Sequence, residues 1–249
     1  MMDRVEARSP PAAARGAGHR GVTLVIPTFN EAESIGEVVA AIPRDLVDRI
    51  LVVDGGSSDG TPQVARAAGA EAIGVGRGYG LACLAGAEAA DGGDILVFMD
   101  GDGADDPGAI AALVDPIRAG RYDFVIGSRA RGEREPGSMA LHQIVSGLAM
   151  GWLIRFLYGV RYTDMAAFRA IPRDTLLQLG MREMTYGWNL EMQMRAARAG
   201  LRVLEIAVPY RCRRGGESKV AGSLRGSIRA GARIIATFAR VALERKPAA

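Results

Sequence analysis

Ile95-Leu96-Val97-Phe98-Met99 runs without a break into Asp100-Gly101-Asp102, and this stretch decides the fold. Consecutive apolar residues bounded by turn formers predict a strand buried on both faces. The carboxylates that follow then emerge at the carboxyl end of a sheet, where open α/β folds bind ligands. Acids at i and i+2 on extended backbone point to opposite faces, so one could address a ribose and the other a divalent cation. Mg²⁺ and Mn²⁺ take oxygen ligands, and such sites combine one or two carboxylates with substrate phosphates. Taken alone, the triplet reads equally as a solvated turn rich in Asp and Gly.

The chain before it repeats strand, polar turn and helix, the signature of a mostly parallel sheet. Thr23 to Pro27 predicts the first strand, and Asn30, Glu31 and Glu33 open a helix whose apolar positions include Ile35, Val38, Val39 and Ile42. Ile50 to Val53 predicts a second strand, ending in Asp54-Gly55-Gly56-Ser57-Ser58-Asp59-Gly60-Thr61, with Pro62 at a helix start. Each strand ends in groups able to bind a nucleotide.

At this point the chain resembles the family 2 glycosyltransferases of GT-A fold, especially their dolichyl-phosphate mannose synthase-like branch. The matching pieces are Val25-Ile26-Pro27-Thr28-Phe29-Asn30-Glu31, Val53-Asp54 through Asp59-Gly60-Thr61, Gly78-Tyr79-Gly80, Asp100-Gly101-Asp102 and Gly127-Ser128-Arg129. Thr163-Asp164 with Phe168-Arg169, Tyr186-Gly187-Trp188 and Gly216-Glu217-Ser218-Lys219 follow in the family order, covering about residues 22 to 225. The resemblance implies that Pro27, Thr28 and Glu31 line a nucleotide pocket and that Asp54 contacts the base. It places Asp100 near the ribose and Asp102 on the metal, with Asp100 as a further metal candidate. Arg129 is its acceptor-phosphate arginine, and Ser218 and Lys219 belong to a loop over the donor and acceptor phosphates.

The chain also departs from that pattern. Gly55 stands where a second Asp is common, which bears on base selectivity. Ala104 replaces a metal-contacting Gln, leaving Asp105 or Asp106 as substitutes, and His142 falls near a second acceptor arginine. Arg77, in Gly76-Arg77-Gly78-Tyr79-Gly80, could reach a diphosphate or sit in a plain surface turn.

The chemistry expected is inverting transfer of a hexose from a UDP- or GDP-sugar, with Mg²⁺ or Mn²⁺ offsetting charge on the leaving diphosphate. A polyprenyl phosphate acceptor is already anionic and needs only cationic clamps such as Arg129, Lys219 and the cluster Arg211, Arg213, Arg214. A hydroxyl of a lipid or small metabolite would need a carboxylate base, and Glu191 or Asp164 are the candidates. Their bland readings are a first-turn helix acid and a structural cap. A nucleotide-sugar-binding scaffold without turnover is the alternative from a different class.

At 249 residues the chain fits one α/β domain, and a hydrophobic fraction of 49% is ordinary. A net charge of +3 does not suggest a nucleic-acid partner, and the basic segment Arg211 to Lys219 lacks interleaved aromatics. Cys83 and Cys212 have no metal-type spacing, consistent with a reducing cytoplasm. The glycine cluster does not follow the first strand, so it is not a dinucleotide fingerprint, and there is no Walker loop. Residues 1 to 20 read as a disordered tail, 21 to 222 as the GT-A domain, and 223 to 249 as an amphipathic helix and tail.

No segment reaches the roughly 18 to 20 apolar residues of a membrane span. Peripheral contact is a separate matter. Leu224, Ile228, Ile235, Phe238 and Val241 share a helical face, with Arg225, Arg229, Arg233 and Arg240 beside it. This basic amphipathic helix either rests on anionic lipid at the inner membrane face or packs on the sheet. Leu148 to Tyr158, with Trp152 and Phe156, is either a further lipid-facing element or a core helix.

Overall fold

The structure, a computed structural model, describes residues 20–215 and 224–244, with side chains of the last helix described from residue 231 onward. The two predicted strands at Thr23 and Ile50 each extend one residue further at both ends, as β1 (Val22–Thr28) and β2 (Arg49–Asp54). Between them lies α1 (Ala32–Ala40); after them come α2 (Thr61–Ala67), β3 (Glu71–Gly74), α3 (Tyr79–Ala89) and β4 (Ile95–Phe98). The second half runs α4 (Ile110–Arg118), β5 (Phe124–Ser128), α5 (Leu141–Tyr158), β6 (Arg169–Pro172), α6 (Arg173–Gln178), α7 (Trp188–Arg198), β7 (Val203–Ala207) and α8 (Leu224–Leu243).

The strands form one seven-stranded sheet in the order β3-β2-β1-β4-β6-β5-β7. Only β6 runs against its neighbours β4 and β5; the other pairings are parallel. The chain moves outward from β1 to β2 and β3, then returns to place β4 on the other side of β1. The carboxyl ends of β1 and β4 therefore flank a topological switch point, where open α/β sheets hold ligands. Thr28, opposite Asp54 in the parallel register, and Asp100, just beyond β4, both lie there.

Alternation along the strands feeds two cores. Leu24, Ile26, Ile50 and Val52 pack with Ile35, Val38 and Val39 of α1 and Leu113 of α4 on one face. Val25, Leu51 and Val53 pack with Ala82 of α3 and Trp188 and Met192 of α7 on the other. Both faces are covered, which is why these strands read as continuous apolar runs. Gly86 lets α3 approach β1, since a Cβ there would lie 2.4 Å from Val25 Cγ1.

The last helix docks differently from its predicted face. Val241 is fully buried, with Ile234 and Phe238 packed against the same core, while Ile235 is exposed. Arg233 and Arg240 reach carboxylates of Glu183 and Glu191. Those two arginines thus tie α8 to the protein, and Arg225 and Arg229 lie among the side chains not described. The predicted tail up to residue 19, and Ser218 and Lys219, fall outside the described residues. No helix among the described residues is long and apolar enough to cross a membrane.

Candidate active site

The loops after β1 and β2 are stitched together by short polar side chains. Asn30, held in the left-handed region at φ 52°, takes a hydrogen bond from the Ser58 N–H on its Oδ1 and gives its own N–H to Ser57 Oγ. Glu31 N donates to Thr61 Oγ1 at 2.9 Å, and Ala32 N donates to Asp59 Oδ2 at 3.0 Å. Asp54 is buried and accepts from the N–H groups of Gly56 and Ser57 and from the Ser57 hydroxyl, so it fixes the shape of its own loop. Above Gly55 the exposed Arg77 guanidinium stacks on Phe29 at 4.1 Å from the ring centre. Pro27 and Thr28 end β1 beside this rim, and both are buried.

Asp100, Asp102 and Asp105 form an acidic pole just beyond β4. Burial, followed by the Asp102 charge, pushes Asp100 up to about 7. Burial, then the charges of Asp100 and Asp102, pushes Asp105 up to about 8. The segment after β7 turns back across this pole: Arg211 N donates to Ala104 O and Arg214 N to Asp102 O, each at 2.9 Å. That pairing delivers Arg213, whose Nη2 donates to Asp102 Oδ2 at 2.8 Å and lies 3.6 Å from Glu31 Oε1. Arg211 approaches Asp106 at 3.7 Å, so Asp106 turns to the outer side while Asp105 stays buried beside Asp100.

The donor set suits a hard divalent cation, being carboxylate oxygen alone and crowded enough to hold protons. Among the described residues no three or more His, Cys, Asp or Glu form a complete metal-binding group. Such a cation would therefore take its remaining ligands from a diphosphate, the usual arrangement for Mg²⁺ with nucleotides. Asp102 and Asp100 are the residues that could hold it.

A cationic pole lies alongside. Arg129, at the end of β5, forms a two-pronged pair with the buried Asp164: Nε to Oδ2 and Nη2 to Oδ1, both 2.8 Å. The Arg129 N–H adds a third bond to Oδ2 at 3.0 Å, and Met165 N caps Oδ1. Burial opposes ionisation of Asp164, but these bonds outweigh it and lower its pKa below the ordinary carboxylate value. The guanidinium stacks on Tyr210 at 5.0 Å. Tyr210 in turn bridges the backbone at Asp105, and the Arg129 charge acts on both Asp100 and Asp105, so the acidic and cationic poles adjoin.

Glu191 has a different place from the one expected of a base. It is fully buried, and its Oε2 accepts from the N–H groups of Arg182 and Glu183 while Oε1 accepts from Arg195 and Arg240. Burial alone would raise its pKa; the four donors reverse that and lower it below its ordinary value near 4.5. Both oxygens are committed to joining α7, α8 and the preceding loop. The Glu191→Gln variant should lose about 3 kcal/mol of stability, as expected when one partner of a buried ion network is neutralised. Because the pKa is depressed on folding, that stabilisation is present above about pH 4.5 and fades as pH falls through the lower folded value. Thermal melts at neutral and acidic pH check this; an unchanged melt with lost turnover would restore the base assignment.

His142 is exposed in the first turn of α5 and makes none of the hydrogen bonds that fix Arg129. The structure thus brings together Asp100, Asp102, Asp105, Glu31 and Arg213, and beside them Arg129 with Asp164, but not Glu191 or His142. Sequence reasoning gave no role to Tyr210 or Phe29, the rings on which the two arginines stack. Both lie in loops, where apolar periodicity carries no signal.

The model of the glycosyl transferase family 2 matches residues 23–179, a span holding every strand end described above except that of β7. The chain belongs to that family.

This glycosyltransferase is 42% identical over 210 residues to an uncharacterised glycosyltransferase of Mycobacterium tuberculosis, a match covering 83% of this chain and 93% of that one. It is 34% identical over 224 residues to the undecaprenyl-phosphate mannosyltransferase of Micrococcus luteus, covering 82% of this chain and 89% of that protein. Its fold matches glucosyl-3-phosphoglycerate synthase of Mycobacterium tuberculosis, solved with Mn²⁺, UDP and phosphoglyceric acid, at a TM-score of 0.73. That match covers 92% of this chain and 80% of the other at 23% identity, so it bears on the fold alone.

Proposed function

We propose that this glycosyltransferase moves a hexose from a nucleoside diphosphate sugar to a polyprenyl phosphate at the inner membrane face, with inversion at the anomeric carbon. The observation that carries the reading is the acidic pole of Asp100, Asp102 and Asp105 beside the fixed Arg129–Asp164 pair, near enough for the Arg129 charge to act on Asp100 and Asp105. Thr28, Glu31, Asp54 and Arg77 border the donor side, and Asp102 and Asp100 would hold Mg²⁺ or Mn²⁺ on the diphosphate. Bound there, the cation would offset charge on the leaving group. Arg213, paired with Asp102, is the cation on that side of the site. Arg129 is the fixed cation for the acceptor phosphate.

In the transfer, the bond from C1 of the sugar to the diphosphate oxygen breaks and its electron pair leaves with the nucleoside diphosphate. An acceptor phosphate oxygen forms the new bond to C1 from the opposite face. No proton has to be removed, because the phosphate monoester is already anionic. The commitment of Asp164 to Arg129 and of Glu191 to its four donors supports this acceptor over a hydroxyl, which would need a free base. The name of the Micrococcus relative supports it too.

The test is release of nucleoside diphosphate from a panel of UDP- and GDP-hexoses with Mg²⁺ or Mn²⁺, with and without short-chain polyprenyl phosphate. Release that depends on the lipid phosphate is the expected result. Metal-dependent release indifferent to the lipid phosphate would overturn the acceptor, and no release from any donor would overturn the reading altogether.

A further inference from the structure

The loop before α7 is wedged against the start of α3. A Cβ on Gly80 would lie 2.2 Å from Glu183 O, and one on Gly78 would lie 2.5 Å from Met184 O, so a side chain at either position would push the two segments apart. The close approach supplies a bond. Helix α3 has no capping side chain, and its Leu81 N–H, which no residue of the helix can satisfy, donates to Met184 O at 3.1 Å. The turn held in this way borders the donor side. Arg77, stacked on Phe29, directly precedes Gly78. Tyr79 lies between the two glycines with its hydroxyl buried, where the Asp100 charge is the largest influence after burial itself.

What fixes the loop comes from the last helix. Glu183 is buried, and its Oε1 accepts from Thr185 N at 3.0 Å and from the Thr185 hydroxyl, which shapes the loop itself. Arg233 Nε donates to the same oxygen and Thr237 Oγ1 donates to Oε2, each at 3.1 Å, and both residues belong to α8. Gly187 lets the two elements close, since a Cβ there would lie 2.5 Å from Thr237 Oγ1 and 2.9 Å from Glu183 Cγ. One carboxylate thus joins α8 to the loop, and the loop joins α3.

We propose that Glu183 is a positioning residue for the donor: it fastens α8 to residues 183–185, which in turn set the first turn of α3 and hold Arg77 and Tyr79 in one arrangement. The inference rests on the donor side described above. It makes the last helix part of the support of the substrate site.

The test compares Glu183→Gln with Glu244→Gln in the full chain with Mn²⁺. Glu244 also docks α8, through Arg195 at 2.9 Å and Arg198 at 3.7 Å, but not through the loop of residues 183–185. In Glu183→Gln the donor KM should rise about 10-fold with kcat changed by less than about 3-fold, the loss falling on alignment of the bound donor. The Leu81 amide should exchange with deuterium about 10-fold faster. Glu244→Gln should lower the thermal melt yet leave donor KM and Leu81 exchange within about 2-fold of normal. The Arg233→Met, Thr237→Val double variant leaves Glu183 in place and should raise donor KM in the same way, which keeps the test decisive if Glu183→Gln does not fold. An unmoved KM in both Glu183→Gln and the double variant would overturn the proposal. So would an equal rise in Glu244→Gln, which would assign the effect to helix docking in general. Leu81 exchange needs no donor, so an unchanged rate in Glu183→Gln overturns the proposal whatever the donor proves to be. A KM raised by Glu183→Gln but not by Arg77→Ala would uphold the positioning role and remove only Arg77 from the donor side.

Discussion

Asp102→Asn is expected to lower metal-dependent nucleoside diphosphate release by about 10³-fold while leaving the fold intact. The asparagine keeps an oxygen for the Ala104 N–H, the contact through which Asp102 shapes its own turn. What it loses is the charge that faces Arg213 at 2.8 Å and that a divalent cation would need. Arg213 is half-buried and still lies 3.6 Å from Glu31, so the guanidinium is not left without an anion and the stability cost should be small. Turnover and thermal unfolding measured together separate the two effects. An Asn variant that turns over near the normal rate would remove Asp102 from the metal and leave Asp105 as the alternative ligand. Chelation of the divalent ion should reproduce the Asn phenotype in the unaltered enzyme, and adding the cation back should restore it only where Asp102 is present.

What the sequence could reveal here was set by range of interaction. Strands buried on both faces leave unbroken apolar runs, so β1, β2 and β4 were legible to within a residue, and their carboxyl ends marked the site. Strand β6 was not legible as a strand, because Arg169 opens it and an arginine reads as solvent-facing. In the fold Arg169 is fully buried, donating to carbonyl oxygens of Ala166, Ala167 and Asn189 in place of water. Arg213 and Asp102 are 111 residues apart, and nothing local in either segment announces that they meet. Glu191 shows the opposite failure: its partner Arg195 sits at i+4 and was readable as a helix pair, but Arg240 and the two backbone donors come from elsewhere. A carboxylate in the first turn of a helix looks available until the chain that covers it is known. The same held for α5, where composition identified an apolar helix but only the packed glycines reveal which side is left open.

Arg129 and Asp164 were each legible, and their pairing is what gives the cationic pole its fixed geometry. Replacing Arg129 by Lys should cut transfer to polyprenyl phosphate about 10²-fold while donor hydrolysis changes little, because a misplaced cation disturbs alignment of the acceptor alone. Lysine retains the charge, so the buried Asp164 keeps a counter-ion, but it cannot span both carboxylate oxygens as Nε and Nη2 do at 2.8 Å. Its ammonium would be drawn to the carboxylate and away from the face of Tyr210, on which the guanidinium stacks. Arg129→Met is the wrong experiment on its own: it strands a buried carboxylate at a cost of about 3 to 5 kcal/mol, enough to lose activity by unfolding. Pairing it with Asp164→Leu removes both charges, and that double variant should refold yet still fail to use the lipid phosphate. If the lysine variant transfers at the normal rate, the acceptor phosphate is held elsewhere, with Arg211 and Arg213 the nearest cations to test. If the lysine variant instead loses donor hydrolysis and transfer equally, Arg129 serves the donor side, and the division of the site between acidic and cationic poles is misplaced.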